Sequence, residues 1–70
     1  APWRSVVTSD RWKVTLCAAD QGELFDLNDD PAETTNLFEK PEHRDRVCWM
    51  AARLRLWQVE VGDTAPLPGV

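Results

Sequence analysis

The sequence predicts an α+β fold, in which a small antiparallel sheet of three to four strands, connected as a meander, packs against one C-terminal α-helix. Apolar and polar residues alternate within residues 11–18, which is typical of a half-buried strand. Apolar residues recur at three- and four-residue steps within residues 41–61, which indicates an amphipathic helix. Residues 1–27 are therefore expected to form the strands and residues 41–61 the helix.

Three strands are expected before residue 28. The first, residues 3–8, contains three β-branched residues in a row and precedes a polar Ser-Asp turn. The third, residues 23–27, follows a turn over residues 19–22, and the short connections favour antiparallel pairing. A fourth strand requires residues upstream of this sequence. In the second strand the inward face is expected to hold Trp12, Val14 and Leu16, and the outward face Lys13, Thr15 and Cys17.

The helix is predicted to begin at Pro41 and to end before Gly62, which suits the left-handed position after a helix. Residues 62–70, rich in proline and glycine, are expected to be irregular. Two apolar stripes on one helix indicate two partners, of which the second is either a larger domain of the same protein or another copy of the chain. The inward stripe comprises Val47, Met50, Ala51, Leu54, Trp57 and Val61, and the roughly opposite stripe comprises Trp49, Ala52, Leu56 and Val59.

Size and charge narrow the classes of function. Seventy residues form at most one domain, which is marginal in stability without a partner. A net charge of −4, with nine carboxylates between Asp20 and Asp45, argues against a nucleic-acid surface. The apolar runs are too short for a signal peptide or a membrane span. Because the sequence begins Ala-Pro-Trp without a methionine, a fragment of a longer protein is expected, and the compartment is left open.

The segment 22–37 reads G-E-L-F-D-L-N-D-D-P-A-E-T-T-N-L. Its Asn-Asp-Asp-Pro run ends the third strand, since these residues favour turns and proline disfavours a helical residue before it. Glu33 and Asn36 are expected to close hydrogen bonds around a short helical turn. Residues 28–40 are therefore predicted to form a turn and a short helical segment, with Leu37 and Phe38 packed on the core.

This segment resembles the E-L-[YF]-D-L-x-x-D-P-x-E-x-x-N-L signature near the C-terminus of sulfatases of the alkaline phosphatase superfamily. Residues 4–13, R-S-V-V-T-S-D-R-W-K, resemble the family's R-x-V-R-T-x-[RD]-[RH]-[YW]-K hairpin. Pro-Glu-His at 41–43, followed by Leu54 and Trp57, resembles its closing helix, which often ends in L-x-x-W and Gly-Asp. The three motifs in order identify residues 1–70 as a sulfatase-like C-terminal subdomain. Val7 stands where the family often has Arg, and Val14 where Tyr is frequent. The hairpin therefore lacks two long polar side chains that could contact a substrate.

The resemblance implies that the chemistry lies outside this chain. Such sulfatases hydrolyse sulfate esters with calcium and with a formylglycine made from the Cys or Ser of C/S-x-P-x-R, and neither Cys17 nor Cys48 has that context. Formylglycine and calcium are therefore implied for a missing N-terminal catalytic domain, the expected partner of this chain. No catalytic, cofactor-binding or metal-binding residue is predicted here. The alternatives are a tail of a related phosphodiesterase or phosphonate hydrolase, and an autonomous dimerising module.

Arg11 and Lys13 are the candidate residues for the rim of a substrate pocket, where they would face an anionic ligand. The competing interpretation of Lys13 is a charge that prevents its strand from pairing with other chains. Trp12 and Trp57 are predicted to be core residues. The candidate interface residues, through which the isolated chain is expected to self-associate, are Trp3, Trp49, Leu56 and Val59.

Three further patterns are interpreted without a metal site, a catalytic site or a disulfide. Asp-x-Asn-x-Asp at 26–30 mimics the start of an EF-hand loop, but Pro31 and Leu37 stand where that loop needs Gly and Glu. Turn and cap roles are the preferred interpretation of these acids. His43 is expected on the surface without a nucleophile beside it, and Cys17 and Cys48 are not expected to form a disulfide.

Overall fold

The computed structural model describes residues 3–17 and 22–67, which form three strands followed by one helix. The strands are β1 (Arg4–Val7), β2 (Trp12–Leu16) and β3 (Glu23–Asp26), and the helix α1 (Arg44–Val61) follows a 3₁₀ turn at Pro41–His43. The sheet order is β1-β2-β3 with both pairs antiparallel. The α+β meander with a C-terminal helix is confirmed, and the described residues contribute three strands to it. The turn expected at 19–22 lies largely outside the described residues.

The β1–β2 hairpin closes through a three-residue loop. Thr8 N donates to Trp12 O at 2.9 Å, and Arg11 N donates to Thr8 O at 2.9 Å. Arg11 adopts φ +64°, the left-handed conformation that follows a type I turn in such loops. This geometry sets the register in which Val6 faces Val14.

The core lies between one face of the sheet and the inward side of α1. Val14, Leu16 and Leu24 from the sheet are fully buried. The helix contributes Val47, Met50, Ala51 and Leu54 to the same cluster, and Val6, Trp12, Leu37, Phe38 and Leu67 pack at its edges. Gly62, with φ +72°, ends the helix as predicted, and no regular element follows it up to residue 67.

Two residues predicted for the inward stripe are not in the core. Trp57 is 44% exposed and Val61 56% exposed. The buried positions of α1 continue from Leu54 to Gln58, a four-residue step, so Gln58 and not Trp57 takes the inward position of the last turns. Gln58 is tolerated there because its amide donates to Asp63 Oδ2 at 3.1 Å and Ala65 O at 2.9 Å.

The other face of the sheet is also partly covered, which corrects the placement of Cys17. Thr15, Cys17 and Phe25 are only 8%, 2% and 6% exposed. Lys13 Nζ on this face donates to Glu33 Oε1 at 3.0 Å, so the loop after β3 passes across it. Cys17 also lies beyond the end of β2, where strand alternation no longer applies. Cys17 and Cys48 form no disulfide.

Residues 28–40 form successive turns, so the short helical segment predicted there is wrong. Glu33 N donates to Asp30 O at 3.0 Å, and Glu33 itself is left-handed at φ +57°. The Asp30 carboxylate accepts hydrogen bonds from the backbone N–H groups of Thr34 and Thr35, each at 2.9 Å. A helix would have directed those N–H groups to backbone carbonyls, so the Asp30 side chain replaces helical bonding.

Asn36 closes the free edge of β3 with its side chain. Its Oδ1 accepts from Leu24 N at 3.0 Å and from Phe38 N at 2.9 Å, and its Nδ2 donates to Gly22 O at 3.2 Å. Leu37 N then donates to Leu24 O at 2.8 Å. The side chain thus bonds to β3 as the backbone of a fourth strand would, and it brings Leu37 and Phe38 to the core as predicted.

Gly22 leaves space that the ring of Phe38 occupies. A Cβ at this position would lie 2.5 Å from Phe38 Cε1. The glycine in front of β3 therefore serves close packing of the loop that Asn36 holds.

Replacing Asn36 should destabilise the fold more than its exposed position suggests. We expect Asn36→Ala to lower the free energy of unfolding by about 1–3 kcal/mol, because Leu24 N–H and Gly22 C=O lose their partner. Asn36→Asp keeps both accepted bonds but loses the donor, and should give an intermediate value. Urea unfolding measures both variants, with Thr35→Ala as the control. Equal stability of Asn36→Ala and Thr35→Ala would contradict the role of Asn36.

Candidate functional site: the hairpin turn and the helix start

A cluster of aromatic and charged side chains lies where the β1–β2 turn meets the start of α1. The Arg46 guanidinium stands 4.4 Å from the centre of the Trp12 ring, and the His43 ring lies 5.3 Å from it at 53°. Arg46 Nη1 also donates to Asp10 Oδ2 at 2.9 Å. One arginine therefore joins the hairpin turn to the helix through a cation–π contact and an ion pair.

Asp10 is held in its charged form by this arrangement. Its carboxylate accepts a short hydrogen bond from Thr8 Oγ1 within the turn. This bond, and then the bond from Arg46, lower the pKa of Asp10. Asn28 Nδ2 donates to Asp10 O at 2.9 Å, which ties the turn to the loop after β3.

Two shallow depressions flank the cluster, each of about 410 Å³. One opens beside the hairpin turn and the outer side of α1, and its lining residues are Asp10, Asp45, Arg46 and Trp49. The other is acidic with an aromatic wall, and its lining residues are Trp12, Asp26, Asp29, Asp30, Thr35, Leu37 and His43.

The carboxylates of the acidic depression serve the turns of the loop. Asp26 Oδ1 accepts from both Asn28 N and Asn28 Nδ2 at 3.0 Å. The backbone N–H groups of Thr34 and Thr35 lower the pKa of Asp30. These contacts agree with the turn and cap roles inferred for the EF-hand-like spacing. Within residues 3–17 and 22–67, no three His, Cys, Asp or Glu side chains are placed to hold a metal ion.

The two candidate rim residues differ in how they are engaged. Lys13 Nζ lies 3.0 and 3.3 Å from the Glu33 carboxylate oxygens, so its charge is already paired. Arg11 is exposed at the turn, and its guanidinium has no partner among the described residues. The hairpin therefore presents one available cation, Arg11.

All four candidate interface residues are exposed. The exposed fraction is 47% for Trp3, 51% for Trp49, 61% for Leu56 and 81% for Val59. The Arg53 guanidinium stands 5.3 Å from the centre of the Trp49 ring, which restrains that ring on the helix surface.

The remaining candidate groups form no nucleophile–base pair within the described part of the chain. Ser5 Oγ and Thr15 Oγ1 share a hydrogen bond of 2.7 Å across the hairpin. The His43 ring packs against Trp12 in a tilted orientation, and its imidazole bonds to no hydroxyl or thiol of these residues. None of the helices in this part is long and apolar enough to cross a bilayer.

A second charged cluster, at the far end of α1, links the helix to the first strand. Arg4 Nε and Nη2 donate to the two Asp63 carboxylate oxygens at 2.6 and 3.0 Å. Asp63 Oδ2 also accepts from Gln58, and Asp63 N donates to Gln58 O at 2.8 Å. The hydrogen bonds from Arg4 and then Gln58 hold the pKa of Asp63 well below its usual range. Bidentate pairing of this kind fixes orientation as well as distance.

Sequence reasoning missed Arg46 and the Arg4–Asp63 pair. Arg46 follows His43 by three residues, so both project from the same side of a helix start, and this spacing was the available signal. Arg4 and Asp63 both lie within the motifs quoted above, at opposite ends of the chain, and their opposite charges were the available signal. Neither signal identifies the residue that Arg46 or Arg4 contacts unless the fold is known.

Two curated sulfatases are similar in sequence to this chain. Choline-sulfatase of Rhizobium meliloti (strain 1021) is 35% identical over 63 residues, which cover 84% of this chain and 12% of the relative. Ulvan-active sulfatase of Formosa agariphila (strain DSM 15362 / KCTC 12365 / LMG 23005 / KMM 3901 / M-2Alg 35-1) is 39% identical over 46 residues, which cover 66% of this chain and 8% of the relative. The matched part of the chain thus spans about an eighth or less of the length of these relatives.

No family model matches the chain, and no solved structure matches it at a significant level. The two curated relatives support a sulfatase-like relation, in agreement with the three motifs.

The Arg4–Asp63 pair should contribute to the acid sensitivity of the fold. A carboxyl whose pKa is lowered by folding stabilises the native state above its unfolded pKa, near 3.9. That contribution is lost as the pH falls from about 5 towards the folded pKa. We expect Asp63→Asn to be less stable than the parent chain at pH 7 and to lose less stability on acidification. Urea midpoints between pH 7 and pH 2 measure this.

The control is Asp29→Asn, which removes the same charge from a side chain without a hydrogen bond among the described residues. It should leave the pH dependence close to that of the parent chain. An equal flattening of the pH dependence in both variants would show that general charge, and not the Arg4 pair, sets the acid sensitivity.

Proposed function

We propose that this chain is the non-catalytic C-terminal subdomain of a sulfatase-like hydrolase. In this proposal it completes the fold of a larger catalytic domain that precedes it and helps to form the rim of the substrate pocket. The observation that carries the proposal is the match of most of this chain to a small part of each of two sulfatases, 12% and 8% of their lengths. Hydrolysis of a sulfuric ester is accordingly proposed for the whole protein and not for these 70 residues.

The use of the polar side chains supports a structural role. Asp30 and Asn36, within the sulfatase-like signature, bond to the backbone of their own loop and to β3. Arg4 and Asp63 bond to each other. These residues hold the loop and the helix end in place. Their presence in the signature is therefore explained by a structural role, and no catalytic role is needed. The formylglycine and calcium implied by the family resemblance would be held by the preceding domain.

The N-terminal side of the sheet is the proposed contact with that domain. Trp3 precedes β1 and is 47% exposed, and no strand of the described residues pairs with the outer edge of β1. The opposite edge, on β3, is closed by Asn36 and Leu37. A preceding domain that covers the β1 side would bury Trp3 and satisfy the free backbone groups of that edge.

Arg11 is the proposed rim residue for an anionic substrate. Its charge is available, whereas that of Lys13 is paired with Glu33. Arg11 lies at the tip of the β1–β2 hairpin and is exposed there, so its guanidinium is accessible to an anionic ligand.

A second candidate function is an autonomous dimerising module, and the exposed outer stripe of α1 favours it. A phosphodiesterase or phosphonate hydrolase of the same superfamily is a variant of the first proposal. A comparison of sulfate, phosphate and phosphonate esters as substrates of the longer protein separates these hydrolases from one another.

The test of the proposed function is expression of the longer coding sequence that contains this chain. We expect it to hydrolyse a sulfate ester, to contain C/S-x-P-x-R upstream, and to lose activity when that Cys or Ser becomes Ala. Deletion of the present 70 residues should lower the soluble yield. The isolated chain should give no turnover with or without calcium, and activity in a clean preparation would refute the proposal.

In that longer protein, Arg11→Ala should raise KM for the sulfate ester about two- to fivefold with little change in kcat, as expected for loss of one solvent-exposed ionic contact. Arg11→Gly should raise KM equally while it preserves stability, because glycine tolerates φ +64°. Lys13→Ala, which removes a paired charge, should have the smaller effect. A KM that is the same in Arg11→Ala and the parent protein would exclude Arg11 from the rim.

A further inference from the structure

Arg11 stands between two residues that one side chain of α1 contacts. On one side of it, the Asp10 carboxylate accepts a hydrogen bond from Arg46 Nη1 at 2.9 Å. On the other side, the centre of the Trp12 ring lies 4.4 Å from the Arg46 guanidinium carbon. The Arg11 guanidinium has no hydrogen-bond or ion-pair partner in the described part of the chain. The side chain of Arg11 is therefore free while both of its neighbours are held.

The backbone of the hairpin tip is fixed by its own hydrogen bonds. Arg11 N donates to Thr8 O, and Leu27 N donates to Arg11 O, both at 2.9 Å. Asn28 Nδ2 donates to Asp10 O at 2.9 Å. The left-handed conformation of Arg11, at φ +64°, is less favourable for arginine than for glycine, so it persists only where surrounding contacts hold it. These bonds tie the tip to the sheet, and the contacts of Arg46 tie it to the helix.

Arg46 acts from a rigid support. The next residue, Val47, is 4% exposed, and Met50 one turn later has no exposed surface, so this end of α1 is anchored in the core. A hydrogen bond to a carboxylate and a contact with an aromatic face restrain the Arg46 guanidinium in two directions. The position of the hairpin tip relative to α1 is therefore set by a side chain that is itself restrained.

We propose that Arg46 is a positioning residue for Arg11. It holds the hairpin tip where the Arg11 guanidinium contacts the anionic group of a sulfate ester at the pocket rim, and it does not touch the substrate itself. A contact group that is held in place before binding loses less conformational freedom on contact, which strengthens binding. This inference rests on the proposed function, because it requires the rim role of Arg11.

Substitution of two arginines of α1 in the longer protein tests the inference. Arg46→Met should raise KM for the sulfate ester about two- to fivefold with little change in kcat, as expected for Arg11→Ala. The double variant should be no worse than Arg11→Ala alone, because both changes remove one contact. Arg46→Lys, which keeps a charge for Asp10 but not the planar group, should give a smaller increase. The matched control is Arg53→Met, which removes the arginine that lies over Trp49 instead, and its KM should equal that of the parent protein.

Hydrogen exchange of the same proteins separates positioning from general stability. A general loss of stability would lower the fraction of active protein, and hence the apparent kcat, without raising KM. We expect the amide of Arg11 to exchange faster in Arg46→Met than in the parent protein, and at the parent rate in Arg53→Met.

Each contrary result has a different meaning. Equal exchange in Arg46→Met and Arg53→Met would overturn the inference whatever the activity. An unchanged KM in Arg46→Met, or a double variant whose KM increase is the product of the two single increases, would overturn the positioning role and leave the rim role of Arg11 standing. An unchanged KM in Arg11→Ala would overturn the rim role and this inference with it.

Discussion

The contact between the sheet and α1 is the interaction on which the rest of the structure depends. Leu16 and Leu24 on the strands and Met50 on the helix have no exposed surface, and Leu54 has 1%. Full burial of such a side chain contributes about 1.5–3 kcal/mol. Three strands of four or five residues are covered on their core face mainly by α1, so without the helix the sheet would expose most of that face.

Polar side chains then place the loops relative to this core. Asn36 supplies to β3 the bonds that a neighbouring strand would supply, and Asp30 organises the turn that delivers Asn36 to that edge. At the other end of the molecule, Asp63 joins the end of α1 to Arg4 at the start of β1. The residues that carry the resemblance to sulfatases therefore act on the fold. This explains why a chain related to enzymes has its most specific motif in a loop without a reactive group.

The regular elements were predictable because they follow from local patterns. Alternation identified Val14 and Leu16 as core residues, and Gly62 marked the end of the helix. The loop from 28 to 40 was not predictable in the same way, because Asp30 competes with the backbone for N–H groups and a helix-like composition does not reveal that competition. The partner of Arg46 was also hidden, since Trp12 is 34 positions away in sequence and reaches it only after the sheet packs on the helix.

Periodicity along α1 reports which side of the helix is apolar, but it does not decide which of two neighbouring positions turns inward near the helix end. The buried positions are Val47, Met50, Ala51, Leu54 and Gln58, so the inward row passes through Gln58 and leaves Trp57 at the surface. A polar residue is tolerated at that position because the Gln58 amide donates to Asp63 Oδ2 at 3.1 Å and to Ala65 O at 2.9 Å. The apolar character of Trp57 therefore gave the wrong inward residue, and the hydrogen bonds that bury Gln58 could be identified only from the fold.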